Sequence, residues 1–448
     1  MKQQHVLDLI GDELAHASRA DRGKLDEIDR WLHNENPVEQ HRRQRESEEK
    51  RVLADLARTP LLPLVVRDSA QQMILEGVAS GEKDTSRMWA PWERNGMPSR
   101  EFALYEAAVG YGIAYATVLP GVDRSGQGSA VIQPMSPRDL FAVYGDPVVD
   151  EWPMYALRTI PQPRSVVHYR LMDEESVHFV AREETGRLVY IEEQRHGVGV
   201  TPVVRYANDM DLEGRTPGEV DRFKGLAARY EKTTNDRMLI QHYNSWRIRT
   251  ATGLEEPGSI EEKERQKALL RHEDILTGSA DVTFSSLPET TLDGIIKAGD
   301  TDRDTLAAAS QTPVWALNGG QLVNLSADAL AEARSTSRQK VGAKRRSIGR
   351  SHAQALRLAA HIEGRADDAE DFGLRMLWAD VESRSMAQAA DALGKIAAQL
   401  QVPVEKLWDM IPGISKTVAD EWREFARSNP TGDDRLAAAI ERQYTTQA

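Results

Sequence analysis

The sequence contains no cysteine. Disulfide bonds, thiolate catalysis, iron–sulfur clusters and cysteine-based zinc sites are therefore excluded. The sequence also has no window of about 18 apolar residues, so no membrane-spanning helix is expected. The N-terminus carries early acidic residues and lacks the apolar stretch of a signal peptide. These absences leave the compartment of the protein open, because a cysteine-free chain suits both a reducing cytosol and an extracellular particle.

The motifs of common catalytic sites are also missing. A phosphate-binding loop needs Gly-x4-Gly-Lys-Ser/Thr, and the nearest stretch, residues 121–128, has no lysine. The sequence has no His-Glu-x-x-His or Gly-x-Ser-x-Gly motif, and its histidines form no close ligand pair. No carboxylate lies in an apolar stretch that would raise its pKa, and Asp146 and Asp380 come nearest. The sequence therefore gives no evidence for catalytic residues, a metal site or a cofactor.

The chain is acidic, whereas a free-standing nucleic-acid-binding protein is normally basic. It has 57 lysines and arginines against 70 aspartates and glutamates, a net charge of −13 over 448 residues. Because duplex DNA carries one negative charge per about 1.7 Å of its axis, this balance argues against general, tight adhesion to DNA. A local basic stripe remains compatible with the composition. The length predicts two to four structural units.

The N-terminal half is expected to pass from helices to strands. Residues 1–58 have helical periodicity and mixed charge. Trp89 and Trp92 can share a helix face, Asn95-Gly96 can end that helix, and the next helix is expected to end at Gly112. Short apolar runs separated by proline and glycine over 129–207 predict a meander of strands.

Two helical segments flank a polar insert in the second half. A helical period of 3.6 residues runs over 218–247, which corresponds to a rod of roughly 42 Å. Residues 248–290 form a charged insert with strand-like ends, and a second helical segment follows over 291–310. This order predicts two helices side by side with a small module at their far end.

A loop and a basic helix complete the pattern. Residues 313–325 read as a loop with a flexible Asn318-Gly319-Gly320 centre, and Ser326 is a natural N-cap for a helix to about residue 362. This helix carries eight basic residues against two acids. One interpretation is a face for phosphates or a partner, and the other is a solvated face or one ion-paired between subunits. The basic residues are Arg334, Arg338, Lys340, Lys344, Arg345, Arg346, Arg350 and Arg357.

Several local strings, in the same order over some 370 residues, resemble the portal (head-to-tail connector) proteins of long-tailed phages. They include LVVRDSAQQMILEGV at 64–78, MWAPWERNGM at 88–97, ALYEAAVGYGIAYATVLPG at 103–121 and TPVWALNGGQLVNLSADALAEA at 312–333. The most specific is Asn324-x-Ser326-x-x-Ala329-Leu330, preceded by Thr312-Pro313. Trp246 and its neighbours follow the family pattern only loosely, which leaves the insert boundaries open.

The resemblance implies an α+β, predominantly helical, multidomain portal fold with a wing, a stem, a clip and a crown. The implied divisions are a wing over 1–217, stem helices over 218–247 and 291–313, a clip over 248–290, a tunnel loop over 314–326, a long wing helix with a return strand over 327–384, and a helical crown over 385–448.

The resemblance also implies a structural, non-enzymatic function. Portal proteins form a ring, usually of twelve copies, at one capsid vertex, through which double-stranded DNA is packaged and later ejected. Implied partners are the terminase large subunit, the major capsid and scaffolding proteins, and the head–tail adaptor. The implied location is the virion, after assembly in the host cytoplasm.

The candidate site residues fall into three groups. The tunnel-loop group, expected to face DNA, is Asn318, Gly319, Gly320, Gln321 and Asn324. The basic-helix group, expected to face DNA or a neighbouring subunit, is Arg334, Arg338, Lys340, Lys344, Arg345, Arg346 and Arg350. The clip group, expected to dock partners, is Glu255, Glu256, Lys263, Arg265 and Lys267. The alternative is a nucleic-acid-processing enzyme or a helical DNA-binding adaptor that uses the basic helix 334–357. A different head or tail structural protein is a third possibility.

Overall fold

The chain has an α+β architecture in which helices hold more residues than strands. The computed structural model describes residues 1–36, 48–81, 85–122, 126–163, 166–245, 249–252, 259–261, 283–286, 291–318, 334–379, 386–411, 414 and 416–429. The α-helices are α1 (Gln3–Asp8), α2 (Ala15–Leu32), α3 (Glu48–Leu56), α4 (Leu61–Gln71), α5 (Ser86–Arg94), α6 (Glu101–Tyr111), α7 (Glu219–Ser245), α8 (Asp293–Ser310), α9 (Val314–Asn318), α10 (Ser335–Ile362), α11 (Ala366–Ala369), α12 (Met386–Leu400) and α13 (Lys416–Ser428). The strands are β1 (Leu75–Ala79), β2 (Ile113–Val122), β3 (Gly128–Met135), β4 (Leu140–Val143), β5 (Tyr155–Pro161), β6 (Val167–Met172), β7 (Ser176–Arg182), β8 (Leu188–Arg195), β9 (Val203–Ala207), β10 (Arg249–Thr252), β11 (Thr283–Ser286) and β12 (Arg375–Trp378).

The largest hydrophobic core surrounds one flank of α10. This helix packs on α4, α5, β2, β3, β9 and β12, and its residues Ile348, Ala355 and Ala359 are fully buried there. The spacing of these positions is that of one helix face, which explains why the local sequence folds as an amphipathic helix. The opposite flank of α10 faces outward and carries part of the basic group.

Two small antiparallel sheets border this core. The first has the strand order β3-β2-β9, and the second pairs β1 with β12. The β1–β12 pairing places Leu75 opposite Trp378. The sequence predicted a return strand within 364–384, and β12 matches it. Strand β1 was not anticipated, because its partner lies about 300 residues further along the chain.

A five-stranded antiparallel meander has the order β4-β5-β6-β7-β8. The turn spacing over 129–207 predicted one meander, but the first and last strands of that stretch, β3 and β9, pair with β2 in another sheet. Helix α1 continues through a π-helical segment (Leu9–Leu14) into α2, so one helical run covers this sheet. Val6 and Ile10 are fully buried against Leu157 and Leu171 of the sheet. The same helical run reaches the main core further on through α2. The N-terminal helices therefore join the two cores.

Two glycines bring the end of α6 against the start of α7. Gly112 ends α6 in the left-handed conformation (φ 96°), as predicted. A Cβ added at Gly218 would lie 2.1 Å from the carbonyl oxygen of Gly110, and one at Gly112 would lie 1.9 Å from that of Thr216. Only glycine permits this approach, so the direction of α7 relative to α6 is set at this contact.

The C-terminal helices form a separate aromatic contact. The rings of Trp408 and Trp422 pack edge to face with centroids 6.0 Å apart, which joins the short 3₁₀ turn Trp408–Met410 to α13. The outward face of α13 exposes Phe425. The polar tail predicted after residue 429 lies outside the described residues.

Candidate functional site

Helices α7 and α8 pack side by side in opposite directions. Arg229 of α7 forms an ion pair with Asp302 of α8 (Nε to Oδ1, 2.8 Å), and Thr233 donates a hydrogen bond to the other carboxylate oxygen of Asp302 at 2.7 Å. Arg237, one turn beyond Thr233, and Ile295, two turns before Asp302, line a common cleft. The 27 residues of α7 give a length of about 40 Å. The predicted pair of long helices therefore exists with nearly the expected boundaries.

A two-stranded sheet lies at the far end of this helix pair. Strands β10 and β11 pair antiparallel, with Arg249 opposite Ser286 and Thr252 opposite Thr283. The strand-like ends predicted for the insert match these two strands. The α7–α8 pair is thus closed by a small module, which is the arrangement expected from the order of the segments.

The predicted loop and insert contacts fall largely outside the described residues. Asn318 is the last residue of α9, so the predicted loop begins with a short helix over Val314–Asn318. The remaining tunnel-loop candidates outside the described residues are Gly319, Gly320, Gln321 and Asn324. The clip candidates outside them are Glu255, Glu256, Lys263, Arg265 and Lys267.

Two lysines of α10 contact the first residue of α7 and the last residue of α8. Lys344 Nζ lies 2.7 Å from Oε1 of Glu219, the first residue of α7, and also donates to Oδ1 of Asn208. Lys340 Nζ lies 2.9 Å from Oε2 of Glu219 and 2.7 Å from the carbonyl oxygen of Ser310, the last residue of α8. This set of contacts, here called the lysine clamp, ties α7 and α8 to α10.

The lysine clamp is buried, so the charged state of Glu219 is stabilised by the charges of the two lysines rather than by water. Only 5% of the Lys344 side chain and 3% of the Glu219 side chain are exposed. Burial alone would raise the pKa of Glu219, but the ammonium charges of Lys340 and Lys344 outweigh burial and lower it. Glu219 is therefore ionised, and both lysines form their ion pairs within the same chain.

Two arginines of the basic helix have internal partners as well. Arg345 donates to the carbonyl oxygens of Gln72 and Ala379 and lies over the ring of Trp378. Arg357 Nη2 lies 2.7 Å from Oε1 of Glu151, and its guanidinium stacks 4.2 Å from the ring centre of Phe372. These contacts hold the outer flank of α10 against neighbouring segments.

The remaining basic residues of this group are exposed to solvent or, in the case of Arg334, lie near an aromatic ring of α9. Arg334, just before α10, lies 5.9 Å from the ring centre of Trp315 in α9, and Arg338 is exposed. Arg346 and Arg350 are exposed and have no ion pair among the described residues. The structure therefore divides the predicted basic stripe into an inward half, which holds the fold, and an outward half centred on Arg346 and Arg350.

A buried polar and aromatic cluster lies beneath α10. His352 is fully buried, and its Nε2 and Nδ1 lie 2.8 Å and 3.2 Å from the hydroxyls of Tyr105 and Tyr206. The Trp92 ring packs on His352 edge to face at 4.6 Å. Burial lowers the pKa of His352 to about 3, so the ring is neutral at physiological pH.

Glu101 contradicts the expectation that no carboxylate has a raised pKa. It is buried at the start of α6, and one of its oxygens accepts a hydrogen bond of 3.3 Å from the backbone N–H of Leu75. Burial raises the pKa of Glu101 to about 7. The sequence does not indicate this shift, because two of the groups against Glu101, Leu75 and Trp92, come from β1 and α5, and only Tyr105 belongs to its own helix.

The described residues hold neither a candidate metal cluster nor a candidate membrane span. No group of three or more histidine, aspartate and glutamate side chains in these residues could hold a metal ion. Among the same residues, no helix is both long and apolar enough to span a bilayer.

The chain was then compared with known proteins. A family model, described as phage portal protein, SPP1 Gp6-like, matches residues 12–430. A search of curated protein sequences found no match. Because the family match covers most of the chain, the protein belongs to the SPP1 Gp6-like family of phage portal proteins.

Solved structures of gene transfer agent (GTA) particles are among the similar folds. The virion of a native GTA particle has 11% identity and a TM-score of 0.46, with 80% of this chain and 89% of that chain covered. The neck of a native GTA particle, computed with C12 symmetry, has 12% identity and a TM-score of 0.46, with 81% and 92% covered. The neck of an empty GTA particle, computed with C6 symmetry, has 10% identity and a TM-score of 0.47, with 77% and 89% covered.

The family match confirms that the protein is a phage portal protein with an α+β, mainly helical portal fold. The family consists of structural proteins. No comparison supports the alternative of a nucleic-acid-processing enzyme or a helical DNA-binding adaptor.

Proposed function

We propose that about twelve copies of this chain form a closed ring at one capsid vertex and that double-stranded DNA passes through its centre. The observation that carries this proposal is the stem: α7 and α8 lie antiparallel, are closed at one end by β10 and β11, and are fastened at the other by the lysine clamp. Repeated around an axis, such pairs of helices would form the wall of a channel.

The charge of α8, the second helix of the proposed stem, supports passage of DNA without tight binding. Helix α8 carries four aspartates against Lys297 and Arg303, and Asp293, Asp300 and Asp304 are exposed. Each phosphate neutralised by a lysine or arginine adds salt-dependent affinity for DNA. An acidic helix in the channel wall adds little such affinity, so DNA would slide with low friction.

The division of the chain into functional parts follows the same proposal. Residues 1–217 would form the outer wing, α7 and α8 the stem, 248–290 the clip, 314–326 the tunnel loop, 327–384 the long wing helix and return strand, and 385–448 the crown. The clip would meet the terminase large subunit during packaging and the head–tail adaptor afterwards. The wing and crown would meet the major capsid and scaffolding proteins, with assembly in the host cytoplasm and a final place in the virion.

The proposal assigns no catalytic function to the chain. ATP hydrolysis would belong to the terminase, since the sequence has no phosphate-binding loop of its own. The inward direction of Lys340 and Lys344 also removes much of the cationic surface on which a DNA-binding adaptor would depend.

The ring is tested directly by mass photometry and negative-stain microscopy of the purified protein. The expected result is a ring-shaped particle of about twelve subunits with a central opening wide enough for duplex DNA, roughly 20 Å. The control for catalysis is a pair of ATPase and nuclease assays, both expected to be blank. A monomer at micromolar concentration, or reproducible turnover, would contradict the proposal.

A further inference from the structure

An arginine-rich groove runs along the outward flank of α10. It lies between α10, over residues 342–357, and the segment 371–378 that leads into β12, and it encloses about 620 Å³. Gly342, Gly349 and Ala353 lie along the α10 side, and a Cβ added at Gly342 would meet nothing within 4 Å. At Gly342 the absence of a side chain leaves room for a segment of another chain to approach the helix closely, whereas Gly349 already packs against Met376 and Trp378. We call this surface the arginine groove.

The charge of the arginine groove is not balanced within the described residues. Five arginines line it, against Glu151 and Asp371. Both acids already have partners, since Glu151 pairs with Arg357 and Asp371 accepts a hydrogen bond of 2.6 Å from the Ser80 hydroxyl. The arginines that have no ion pair among the described residues are Arg346, Arg350 and Arg375, all exposed.

The shape and chemistry of the arginine groove favour a peptide ligand over duplex DNA. Its walls include Trp378 and Phe372, and 74% of the Phe372 surface is exposed. Aromatic walls bury the aliphatic parts of a peptide, and planar guanidinium groups form paired hydrogen bonds with carboxylates.

We propose that the arginine groove binds a carboxylate-rich segment of a neighbouring copy of this chain, with Arg346, Arg350 and Arg375 as the principal contacts. In a closed ring each subunit meets its neighbour through two different surfaces, so a basic groove on one side requires an acidic surface on the other. A chain of net charge −13 with such a basic groove offers acidic surfaces elsewhere. This inference rests on the proposed ring and deepens it by naming one of its interfaces.

The first experiment compares ring formation in wild-type protein with that in the R346E/R350E double variant. Nuclease-treated samples are measured by mass photometry over a series of protein and salt concentrations. The expected result is at least a tenfold loss of ring at a fixed protein concentration for R346E/R350E, since each changed side chain would meet carboxylates of the neighbour. Both positions are exposed and unpaired within the described residues, so circular dichroism and thermal melting of the variant should match those of the wild type.

Two control variants separate specific contacts from general charge. R100E/R187E makes the same change in net charge at exposed arginines away from the arginine groove, and it should form rings like the wild type. R346K/R350K keeps the charge but loses the paired hydrogen bonds, so it should fall between wild type and R346E/R350E. If wild-type protein and R346E/R350E form rings equally well, this inference is overturned but the proposed function is not. If wild-type protein forms no ring, the proposed function is overturned as well.

The occupant is identified by a photo-crosslinking amino acid at position 346 in rings assembled from mixed nitrogen-14 and nitrogen-15 protein. The inference expects isotopically mixed crosslinks from the arginine groove to a peptide rich in aspartate and glutamate. Crosslinks confined to one copy would show that another part of the same chain fills the groove. Crosslinks to duplex DNA, together with intact rings in R346E/R350E, would assign the groove to nucleic acid. Either of these two results would overturn the proposal.

Discussion

Lys344 Nζ lies 2.7 Å from Oε1 of Glu219, and both side chains are almost completely buried between α10 and the start of α7. Lys340 contacts the other oxygen of the same carboxylate at 2.9 Å. Burying these charges is costly, and the cost is offset only while both signs are present.

Replacing Lys344 with methionine should therefore destabilise the fold. The expected loss in the free energy of unfolding is about 3 kcal/mol, because Glu219 would keep Lys340 as its only cationic partner. Urea denaturation at one protein concentration measures the change. Lys297→Met removes an exposed lysine from α8 and should change stability by less than about 0.5 kcal/mol. The double variant K344M/E219M should lose less than the sum of its single variants, and simple additivity would contradict the coupling.

Gly218→Ala, just before α7, should be strongly destabilising, whereas Gly225→Ala within α7 should not. The added methyl group at position 218 would lie 2.1 Å from the Gly110 carbonyl oxygen, but at position 225 it would meet nothing within 4 Å. The first change should lower the thermal midpoint by at least about 10 °C, given a cost of several kcal/mol. The second should stabilise α7 by up to about 1 kcal/mol, because alanine favours helix over glycine. Equal melting temperatures for the two variants would be inconsistent with the close approach of α6 and α7.

Glu101→Gln should make stability rise more steeply with pH between about 4.5 and 6.5. In the folded state the pKa of Glu101 is raised by burial to about 7, from 4.5, so the folded chain binds its proton more tightly. Its contribution to stability is thus present below pH 4.5 and is lost as pH rises towards 7. Removing this group removes the decline, and the slope should change by up to about 1.4 kcal/mol per pH unit. Urea denaturation at pH 4.5, 5.5 and 6.5 measures the slope.

His352→Gln is the opposite case and serves as the paired control. Burial lowers the folded-state pKa of His352 to about 3, from 6.5, so the unfolded chain binds its proton more tightly. Its contribution is present above pH 6.5 and is lost as pH falls towards 3. Without this group, stability should fall more, or rise less, with increasing pH over the same window. Parallel pH profiles for wild type, E101Q and H352Q would show that neither group has the assigned pKa.

Acidic side chains in the proposed tunnel loop should reduce DNA packaging but not ring formation. Gln321→Asp and Asn324→Asp together would place carboxylates beside the phosphates of passing DNA, and like charges repel. In a packaging assay that measures nuclease-protected DNA, the double variant should package several-fold less than wild type. Gln162→Asp with Asn429→Asp makes the same chemical change at two exposed sites and should package normally. Unchanged packaging by the loop variant would remove these residues from the DNA path.

Local periodicity predicted the pair of helices α7 and α8, but not the contacts that hold this pair against α10. The helical spacing over 218–247 is contained in one segment, so α7 was found within two residues at each end. Glu219 is the partner of Lys344 across 125 residues, and nothing in either segment indicates the pairing. Because the sequence does not show these partners, it predicted that the basic residues of α10 form one continuous surface. The fold divides them, because Lys344 faces the core side of the helix and Arg346 faces outward.

Strand β1 and the His352 cluster also depend on contacts between distant segments, which the local sequence does not indicate. The pairing of β1 with β12 joins residues far apart in the chain, and the preceding apolar run gave β1 no alternating pattern of its own. The partners of His352 come from α5, α6 and β9. A single sequence shows each of these residues without its neighbours, so tertiary burial and the pKa shifts that follow from it were not predictable.

The lysine clamp has a mechanical consequence. Lys340 contacts the first residue of α7 and the last residue of α8, so one side chain of α10 holds an end of each helix. A sideways load at the β10–β11 end would act through a lever of about 40 Å on this pivot. A load applied at that end would therefore reach α10 through the contacts that Lys340 and Lys344 make with the two helices.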